Sequence, residues 1–397
     1  MHLAKSSPIE RIRWHQLRVS AKTVWSFVEL INAEGYVGVG EATLGQHEPQ
    51  MRAALASFEN AVIGRAAEDV DLALQSASAR SLPEFAVVSA LDQAAWDLIA
   101  QARGIGVAAA LGAMQRERVP AYANINRGMT SRTPQGFAAQ ARCAVADGFR
   151  AIKIAPFDEV ELRGRTDAKP DAWHIDAGLA RIGAVREAIG ADVELMVDCH
   201  WRLNRDAAEA VLKEASPHNL YWLECPVPET QEMLATLAHL RDLANGIGVR
   251  LAGCEQMSLA SGFAPFLRAG AYDVMMPDAK YVGGLREMLR VAQSFAAHGV
   301  AFSPHNPSGP VCHAVSLHVC AVVPALDRLE MQYAETSLFD ELVDDVLPRA
   351  VHGEIEVPVG PGLGLRLNAR LTRELASCDG FARHASQGAP HAAPGAT

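Results

Sequence analysis

The sequence contains few of the features that mark nucleic-acid-binding or membrane proteins. Its 397 residues include 36 Lys and Arg against 46 Asp and Glu, which gives a formal net charge of −10. Sequence-independent binding to nucleic acid needs a surplus of positive charge, so nucleic acid is not predicted as a partner. The apolar runs are interrupted by charges or Gly and stay well short of the roughly 20 residues of a membrane span. No contact with a membrane is therefore predicted.

Neither the cysteines nor the N-terminus indicates export. The 7 Cys residues contain no C-x-x-C pair and no spacing typical of a metal site, so reduced and mostly buried thiols are expected. Residues 1–14 are charged and lack the apolar segment of a signal peptide. With 49% hydrophobic and 21% charged residues, the composition is that of an ordinary globular protein, and a cytoplasmic location is predicted.

The first third of the chain is typical of a small α+β unit. Residues 11–20 and 24–42 alternate apolar with polar side chains around Gly turns, which predicts an antiparallel meander. Residues 50–112 are rich in Ala and Leu with a helical period. An N-terminal α+β domain is therefore predicted over residues 1–117.

After Pro120, short β-like runs alternate with helical patterns at intervals near thirty residues. The eight runs span residues 119–125, 151–157, 193–199, 220–226, 249–255, 273–279, 300–306 and 328–334. Parallel strands need helical crossovers, so this series predicts a parallel sheet closed into a barrel over residues 118–350. An open doubly wound sheet is the alternative, but no G-x-G-x-x-G follows the first strands.

Two stretches do not follow the strand–helix repeat. Residues 158–175 are densely charged and poor in apolar side chains, which predicts an insertion after the second strand. Residues 377–397 are mostly small and polar, so a disordered tail is predicted there.

Ionisable side chains lie at the ends of the predicted strands, where barrel folds carry their active sites. A single acidic residue at such a position is more often a helix cap or a loop residue. Three carboxylates on three successive strands point instead to a shared site. The strand-end residues are Lys153, Asp198, His200, Glu224, Glu255, Asp278, His305 and Glu330.

The three successive carboxylates are Asp198, Glu224 and Glu255, separated by 26 and 31 residues. Each interval is one strand–helix unit, so the three side chains are predicted to point into one mouth. Bare carboxylates would repel one another there and would not all ionise, a conflict that a divalent cation removes. A set of oxygen ligands without His or Cys favours Mg²⁺, which is the predicted cofactor.

The segments around these residues resemble the strand-end motifs of the enolase superfamily, in particular its mandelate racemase-like branch and the acid-sugar dehydratases. They are, in order, GFRAIKIAPF, MVDCH, WLECP, AGCEQ, MMPDAKYVGG and SPHNPSGPV. A G-x-x-G-x-G-E pattern at Gly35, Gly38, Gly40 and Glu41 resembles the signature of the capping domain. The resemblance extends from Gly35 to about Arg366.

This resemblance implies an α/β fold, a (β/α)7-8 TIM-type barrel with an α+β N-terminal capping domain. Residues 351–376 would return to the cap, and a homo-oligomer is expected. The resemblance also implies that Asp198, Glu224 and Glu255 are the Mg²⁺ ligands.

Proton abstraction beside a carboxylate creates a dianionic enediolate, which Mg²⁺ and a lysine can neutralise. Lys153 lies inside a buried apolar run and suits this electrostatic role. The alternative is a lysine on a surface loop.

The resemblance also indicates the base. A second lysine base is missing from the second strand, where Ala155 stands, and the sixth-strand lysine position is Asp278, five residues before Gly283. Asp278 and His305 lie 27 residues apart on adjacent predicted strands and resemble the family's His–Asp dyad. In such a dyad the carboxylate fixes the tautomer of the imidazole. Alternatively, Asp278 caps a helix and His305 is a loop histidine; a contact of nearby Lys280 with the site stays open.

One recognisable base favours β-elimination over two-base racemisation. His200 resembles the general acid of galactonate- and mannonate-type dehydratases, although it could instead support the adjacent ligand Asp198. Glu330 resembles the strand-eight glutamate that hydrogen-bonds the substrate carboxylate or enediolate oxygen, with Gln332 as a rival for that position.

Further side chains are predicted to contact the substrate. In the family, cap loops set specificity, and here they would be residues 18–26 and 43–50, the second of which includes Glu48. The predicted contacts are Asn124, Asn126, Arg127, Trp201, Arg202, Gln46 and His47.

Together these features predict a Mg²⁺-dependent hydro-lyase acting on a small-molecule carboxylate, an aldonate- or aldarate-type acid sugar, to give a 2-keto-3-deoxy acid. One alternative is a racemase, epimerase or lactone cycloisomerase of the same superfamily, with Lys153 or His200 opposing His305. Another is a ligand-binding barrel without turnover.

Overall fold

The computed structural model of the protein describes residues 6–71, 74, 81–161 and 172–376. Most of the predicted charged insertion and all of the predicted C-terminal tail lie outside these residues. The N-terminal part has an antiparallel sheet of strands β1 (Ile9–Arg18), β2 (Val24–Asn32) and β3 (Val37–Glu41). Helices α1 (Glu48–Val62), α2 (Leu82–Ala102) and α3 (Val107–Leu111) follow, which confirms the predicted α+β unit.

Helix α2 is the buried centre of this unit. Ser81 and Glu84 form a capping box at its start, and residues 86–100 are all buried. Its backbone lies directly on β3 because that strand carries glycine at the contact. A Cβ atom on Gly38 would lie 2.1 Å from Ala94 O, and one on Gly40 would lie 2.0 Å from Ala90 O. The glycine pattern noted in the sequence is therefore required by close packing of a helix on a strand.

Eight parallel strands form the second part of the molecule. Neighbouring strands run in the order β10-β9-β8-β7-β6-β5-β4-β11. The ends of this sheet meet, because Phe302 N donates to Ala325 O and Glu330 N donates to Pro304 O. The strands are β4 (Arg118–Asn124), β5 (Ala151–Ile154), β6 (Glu194–Asp198), β7 (Leu220–Glu224), β8 (Arg250–Gly253), β9 (Val274–Met275), β10 (Ala301–Phe302) and β11 (Leu329–Gln332).

Helices cover the outside of this barrel. Seven full helices follow the first seven strands, but β11 is followed only by the four-residue helix α11 (Leu338–Glu341). The predicted (β/α)7-8 barrel is thus confirmed. The seven helices are α4 (Pro134–Ala146), α5 (Ala172–Ile189), α6 (Arg205–Ala215), α7 (Leu234–Gly246), α8 (Leu259–Ala269), α9 (Leu285–Ala297) and α10 (Pro310–Val322).

The last elements of the described range pack against earlier ones. Strand β12 (Glu354–Glu356) pairs antiparallel with β4, and helix α12 (Ala369–Ala376) packs against β1. Val107 N donates to Gly362 O and Gly362 N to Ile105 O, both at 2.9 Å.

Inside the barrel, large side chains form a closed floor beneath the strand ends. Tyr122 and Trp222 are fully buried and meet edge to face, with ring centroids 5.3 Å apart. Met196, Val274 and Met276 belong to the same cluster. The barrel interior is therefore a packed core, and any site must lie above it at the carboxyl ends of the strands.

The cap is fastened over these strand ends by buried polar contacts. Glu41, at the end of β3, accepts from Gly309 N at 2.8 Å and Cys312 N at 2.9 Å. These are free N–H groups at the start of α10, where the helix dipole favours a carboxylate. The hydroxyl of Tyr281 also donates to Thr43 O at 2.9 Å.

Two sequence predictions concern the chain as a whole. None of the described helices is both long and apolar enough to cross a membrane. Over the described range the cysteines are free thiols, and all of them except Cys143 are buried, as expected.

Candidate active site

A buried lysine lies among carboxylates at the ends of the barrel strands. Lys153 Nζ, from β5, donates to Glu224 Oε1 at 2.6 Å and lies 3.0 Å from Glu330 Oε1. Burial lowers the pKa of Lys153, but the charges of Glu224 and Glu330 outweigh burial and raise it well above its ordinary value. The side chain is fully buried, so the alternative of a lysine on a surface loop is wrong.

The three successive carboxylates come together as their spacing predicted. One oxygen each of Asp198, Glu224 and Glu255 lies within 4.8 Å of the others, and all three residues are buried. Cys225 follows Glu224 with φ +44°, and Cys254 precedes Glu255 with φ +73°. Left-handed backbone is uncommon for residues other than glycine and is concentrated at functional sites. We refer to Asp198, Glu224 and Glu255 as the carboxylate triad.

The charges around the triad fit a divalent cation. Five carboxylates are buried here against two ammonium groups; they are Asp198, Glu224, Glu255, Asp278 and Glu330 against Lys153 and Lys280. Within the described residues, Glu255 Oε2 is buried without a hydrogen-bond partner, which is costly unless another group binds it. A cation with a preference for oxygen ligands would satisfy that atom and reduce the repulsion. The donor set suits Mg²⁺.

His305 and Asp278 form a hydrogen-bonded pair beside the triad. Asp278 Oδ2 accepts from His305 Nδ1 at 2.8 Å, and His305 Nε2 lies 3.5 Å from Glu255 Oε2. Burial raises the pKa of Asp278, but the charge of Lys280 and the bond from His305 bring it below its ordinary value. Burial lowers the pKa of His305, while Glu255 and Asp278 raise it and prevail. Because Nδ1 is bonded to Asp278, the ring presents Nε2 to the mouth of the site.

Lys280 contacts the same carboxylate, which settles a question that the sequence left open. Its Nζ donates to Asp278 Oδ2 at 2.8 Å and to the hydroxyl of Ser308, and its backbone N donates to Asp278 Oδ1 at 2.7 Å. Lys280 is 1% exposed. It supports the dyad through Asp278.

His200 lies on the other side of the triad. Its Nε2 is 2.8 Å from Asp198 Oδ2, and its Nδ1 is 2.6 Å from Asp158 Oδ1. Burial lowers the pKa of His200, but Asp198 and Asp158 together raise it well above its ordinary value. Asp158 was not predicted from the sequence, because this residue falls in the stretch interpreted as an insertion. Its position, four residues after β5 and close to Lys153 in sequence, was the available signal.

Glu330, rather than Gln332, lies in the site. Its Oε1 accepts from Asn124 Nδ2 at 2.6 Å, and its Oε2 accepts from Asn306 N at 2.9 Å. Asn126 holds Asn124 in turn, since its Nδ2 donates to Asn124 Oδ1 at 2.7 Å. Gln332 instead donates to Asn124 O at 3.2 Å. Asn306 was not predicted, although it directly follows His305.

The remaining predicted contacts lie farther out. Arg127 NH1 is 3.8 Å from Glu335 Oε2, and Arg202 donates to Val160 O at 3.3 Å. Trp201 is half-buried, with φ +56°. Gln46 is exposed and His47 half-buried at the start of α1. Across the described residues, neither of these two cap side chains forms a hydrogen bond or ion pair with the triad or the dyad.

The cap loop of residues 18–26 does reach the barrel rim. The hydroxyls of Ser20 and Thr23 both donate to Glu335 Oε1. Next to this contact is a cavity of about 320 Å³, whose lining includes Trp25, Ser308, Gln332 and Glu335. Ser308 connects the cavity to Lys280, so the space lies beside the dyad and not directly above the triad.

The sequence matches two family descriptions. Residues 136–371 match "Enolase C-terminal domain-like" and residues 9–112 match "Mandelate racemase / muconate lactonizing enzyme, N-terminal domain". The chain is 30% identical over 388 residues to a D-gluconate dehydratase of Thermoproteus tenax, covering 93% of this chain and 74% of that one. It is 27% identical over 354 residues to a D-galactonate dehydratase of Xanthomonas campestris pv. campestris, covering 87% and 89%.

Solved structures resemble the whole fold. A mandelate racemase/muconate lactonizing enzyme-like protein from Roseovarius superposes with a TM-score of 0.83 at 26% identity, covering 92% of this chain and 94% of that chain. A mandelate racemase/muconate lactonizing enzyme from Sulfitobacter superposes with the same TM-score of 0.83 at 26% identity, covering 93% and 95%.

Proposed function

The chain belongs to the mandelate racemase/muconate lactonizing enzyme family of the enolase superfamily, and on that premise we propose that it dehydrates an acid sugar to a 2-keto-3-deoxy acid. The similarity to dehydratases of D-gluconate and D-galactonate supports this class of reaction. The substrate is proposed to be a small aldonate or aldarate.

One observation carries the proposal: two histidines, His305 and His200, lie on opposite sides of one carboxylate triad. His305 Nε2 lies 3.5 Å from Glu255 Oε2, and His200 Nε2 lies 2.8 Å from Asp198 Oδ2. Elimination needs one group to remove a proton and another to protonate the leaving oxygen. Two different side chains in these places suit that division of work.

Asp198, Glu224 and Glu255 would hold Mg²⁺. When bound, the ion supplies positive charge that stabilises the negative charge developing on the substrate carboxylate during proton removal. Lys153 supplies a second positive charge in the same region. Its ammonium is kept protonated by Glu224 and Glu330, and it needs no reorganisation during the reaction.

Proton abstraction is assigned to His305. Its Nδ1–H is bonded to Asp278, which leaves Nε2 with the free lone pair that takes the α-proton. Asp278 holds the ring in that tautomer and stabilises the imidazolium that forms. Lys280 in turn keeps Asp278 in place through both carboxylate oxygens.

Glu330 is proposed to orient Lys153. Both of its oxygens already accept hydrogen bonds, from Asn124 and from Asn306 N. An ionised carboxylate has no hydrogen to donate to a substrate carboxylate. Its contact with Lys153 Nζ at 3.0 Å fits a role in aiming the ammonium.

The elimination then completes at the neighbouring carbon. The C–O bond to the β-hydroxyl breaks, its electrons leave with the oxygen, and His200 Nε2 gives that oxygen a proton. One water is released, and the resulting enol tautomerises to the 2-keto acid. No oxidant or further reactant is needed.

We also propose a division of the chain into working parts. Residues 1–117 with 351–376 would form the capping domain, and residues 118–350 the catalytic barrel. The contacts of Glu41 with α10 and of Gly362 with Ile105 and Val107 support this grouping.

A library of aldonic, uronic and aldaric acids, incubated with the full-length protein and Mg²⁺, tests the proposal. At least one acid is expected to yield a 2-keto-3-deoxy product, detected as its semicarbazone. Running the same reactions in deuterated water separates the alternatives. Exchange of the α-proton with formation of stereoisomers, and no keto product from any acid, would establish an epimerase instead.

A further inference from the structure

We propose that Asp158 and Arg132 are positioning residues that hold the His200 ring for proton delivery, as a second His–Asp pair. This inference rests on the proposed role of His200. Strand order puts the two pairs on opposite flanks. Asp278 and His305 follow β9 and β10, Asp158 and His200 follow β5 and β6, and the triad lies on β6, β7 and β8 between them.

The Asp158 carboxylate bridges two partners with its two oxygens. Oδ1 lies 2.6 Å from His200 Nδ1, and Oδ2 lies 3.5 Å from Arg132 NH1. An ionised carboxylate can only accept hydrogen bonds, so the ring nitrogen facing Asp158 carries the hydrogen, and Arg132 forms an ion pair with the other oxygen. The other nitrogen, Nε2, then faces the triad.

Arg132 is itself fastened to the loop after β5. It donates from Nε to Glu159 Oε1 at 2.5 Å and from NH2 to Ala155 O at 2.8 Å. Its guanidinium lies 5.2 Å from the ring centroid of Phe137. Arg181 holds Glu159 from the other side, at 2.6 Å. These contacts fix the loop around Asp158, so its carboxylate has a defined orientation.

The backbone conformation at His200 also fits a ring that is held in one orientation. His200 has φ +44° and Trp201 φ +56°, two successive left-handed residues without glycine. His200 N donates to Asp198 Oδ1 at 2.9 Å, which secures the turn at its start. The side chain is fixed by Asp158 at its far nitrogen. Carboxylates thus hold both the backbone and the ring of His200.

The same arrangement occurs on the other flank. There the cation is Lys280, the carboxylate Asp278 and the ring His305, again bonded through Nδ1. Each histidine therefore presents Nε2 to the triad, and each supporting aspartate has its own cation. The difference is exposure: the Asp278 side chain is 0% exposed and that of Asp158 is 33% exposed. Asp158 can therefore be replaced with less risk to folding.

The alternative is that Asp158 only stabilises the loop together with Arg132, Glu159 and Arg181. Glu159→Gln is the matched control, because its amide oxygen can still accept from Arg132 while the loop loses one charge, and Glu159 does not touch His200. A loop defect would alter both variants in the same way. Loss of ring positioning would appear only in the Asp158 variants.

The first measurement compares α-proton exchange in deuterated water with keto-acid formation, on the Mg²⁺-loaded enzyme. In Asp158→Ala and Asp158→Asn, keto-acid kcat is expected to fall by roughly 10- to 100-fold, below the full effect of removing an acid–base group. Exchange and KM should change little, because His305 and the triad are untouched. Glu159→Gln should keep the wild-type ratio of exchange to dehydration. An equal loss of both reactions in Asp158→Ala would overturn the proposal.

The second measurement needs no turnover. Protein labelled with nitrogen-15 histidine, with the His200 signals assigned through His200→Asn, reports the hydrogen bonding of each ring nitrogen. Asp158→Ala should shift the Nδ1 signal of His200, and Glu159→Gln should leave it in place. An unchanged signal in Asp158→Ala would overturn the proposal. If the wild-type protein dehydrates no acid, yet Asp158→Ala still shifts the Nδ1 signal of His200, the proposed reaction is refuted and the Asp158–His200 pair stands.

Discussion

At the scale of single residues, the most demanding feature is the pair of buried ammonium groups. Lys153 and Lys280 each lie 1% exposed at the side chain, and each is held by carboxylates within 2.8 Å. A buried charge is tolerated only when it is paired and hydrogen-bonded. These lysines therefore cannot be removed without leaving uncompensated carboxylates behind.

Lys153→Met is expected to abolish measurable turnover and to lower the melting temperature. The substitution removes the charge opposite Glu224 and Glu330, and breaking a buried pair in this way typically costs about 3–5 kcal/mol. Keto-acid formation, α-proton exchange and a thermal melt would be measured together. Lys213→Met, on the exposed side of α6, is the control and should match the wild type. Normal α-proton exchange in Lys153→Met would contradict the electrostatic role.

Replacing the two histidines should separate the two halves of the reaction. His305→Asn is expected to stop both α-proton exchange and dehydration, because the α-proton is never removed. His200→Asn should stop dehydration yet allow exchange, since His305 and the triad remain. Each acid–base group contributes roughly 10²- to 10⁴-fold, so both losses are measurable. A His200 variant with wild-type keto-acid formation would place the acid elsewhere.

At the scale of elements, the close contact between β3 and α2 holds the cap together. Gly40→Ala would put a methyl group 2.0 Å from Ala90 O, an overlap that the helix backbone cannot relieve locally. Overpacking of this kind typically costs about 1–3 kcal/mol. A lower melting temperature and weaker activity are expected, because Glu41 next to it fastens the cap to α10. Gly45→Ala meets nothing within 4 Å and is the control; equal melts of the two variants would contradict this packing.

A buried histidine of helix α10, His318, should lower the free energy of unfolding at acid pH. His318 accepts from Ala108 N and contacts Leu363 O through its other nitrogen, and burial lowers its pKa from 6.5 to about 4. As the pH falls, the unfolded chain therefore binds a proton at this histidine before the folded protein does. Stability is lost as pH falls from about 6.5 towards 4. A shift of this size corresponds to about 3 kcal/mol, at roughly 1.4 kcal/mol per pKa unit.

Melting temperatures of wild type and His318→Gln between pH 7.5 and 4.5 would measure this effect. The variant should lose less stability on acidification, and the difference between the two proteins cancels the contributions of other groups. Burial raises the pKa of Asp92 to about 7, and such a group acts in the opposite direction, so the difference matters more than either curve alone. His298→Gln, at an exposed position, should follow the wild type. Parallel curves for wild type and His318→Gln would contradict the prediction.

At the scale of the whole molecule, the triad should couple metal binding to stability. A cation that binds only the folded protein stabilises it, by about 2.7 kcal/mol at 100 times its Kd. Mg²⁺ is expected to raise the melting temperature, and a chelator should reverse the rise. In Glu255→Gln the rise should be much smaller.

The same variant has a second expected outcome in the absence of Mg²⁺. Because Glu255 adds negative charge to a crowded cluster and its buried Oε2 accepts no hydrogen bond within the described residues, Glu255→Gln should melt no lower than the wild type. A glutamate with a purely structural role would instead destabilise the protein when replaced. A strongly lowered melting temperature without Mg²⁺ would therefore contradict the interpretation of the triad.

The barrel and the triad could both be predicted from the sequence. Alternating strand and helix periods at regular intervals allow few architectures, and a spacing of one strand–helix unit each brings Asp198, Glu224 and Glu255 to one edge whatever the details of packing. The glycines before Glu41 were likewise visible as a pattern, although their reason is the close approach of α2.

The side chains that support these groups could be identified only from the tertiary structure. Asp158 reaches His200 across 42 residues, Asn306 reaches Glu330 across 24, and Ser20 reaches Glu335 across 315. Such contacts depend on how loops turn at the strand ends, and a loop has no period from which its path could be read. The choice of Glu330 over Gln332 depended in the same way on the contacts that each side chain makes. Both lie on one side of β11, but Glu330 contacts Lys153 and the side chain of Asn124, whereas Gln332 donates to the backbone oxygen of Asn124.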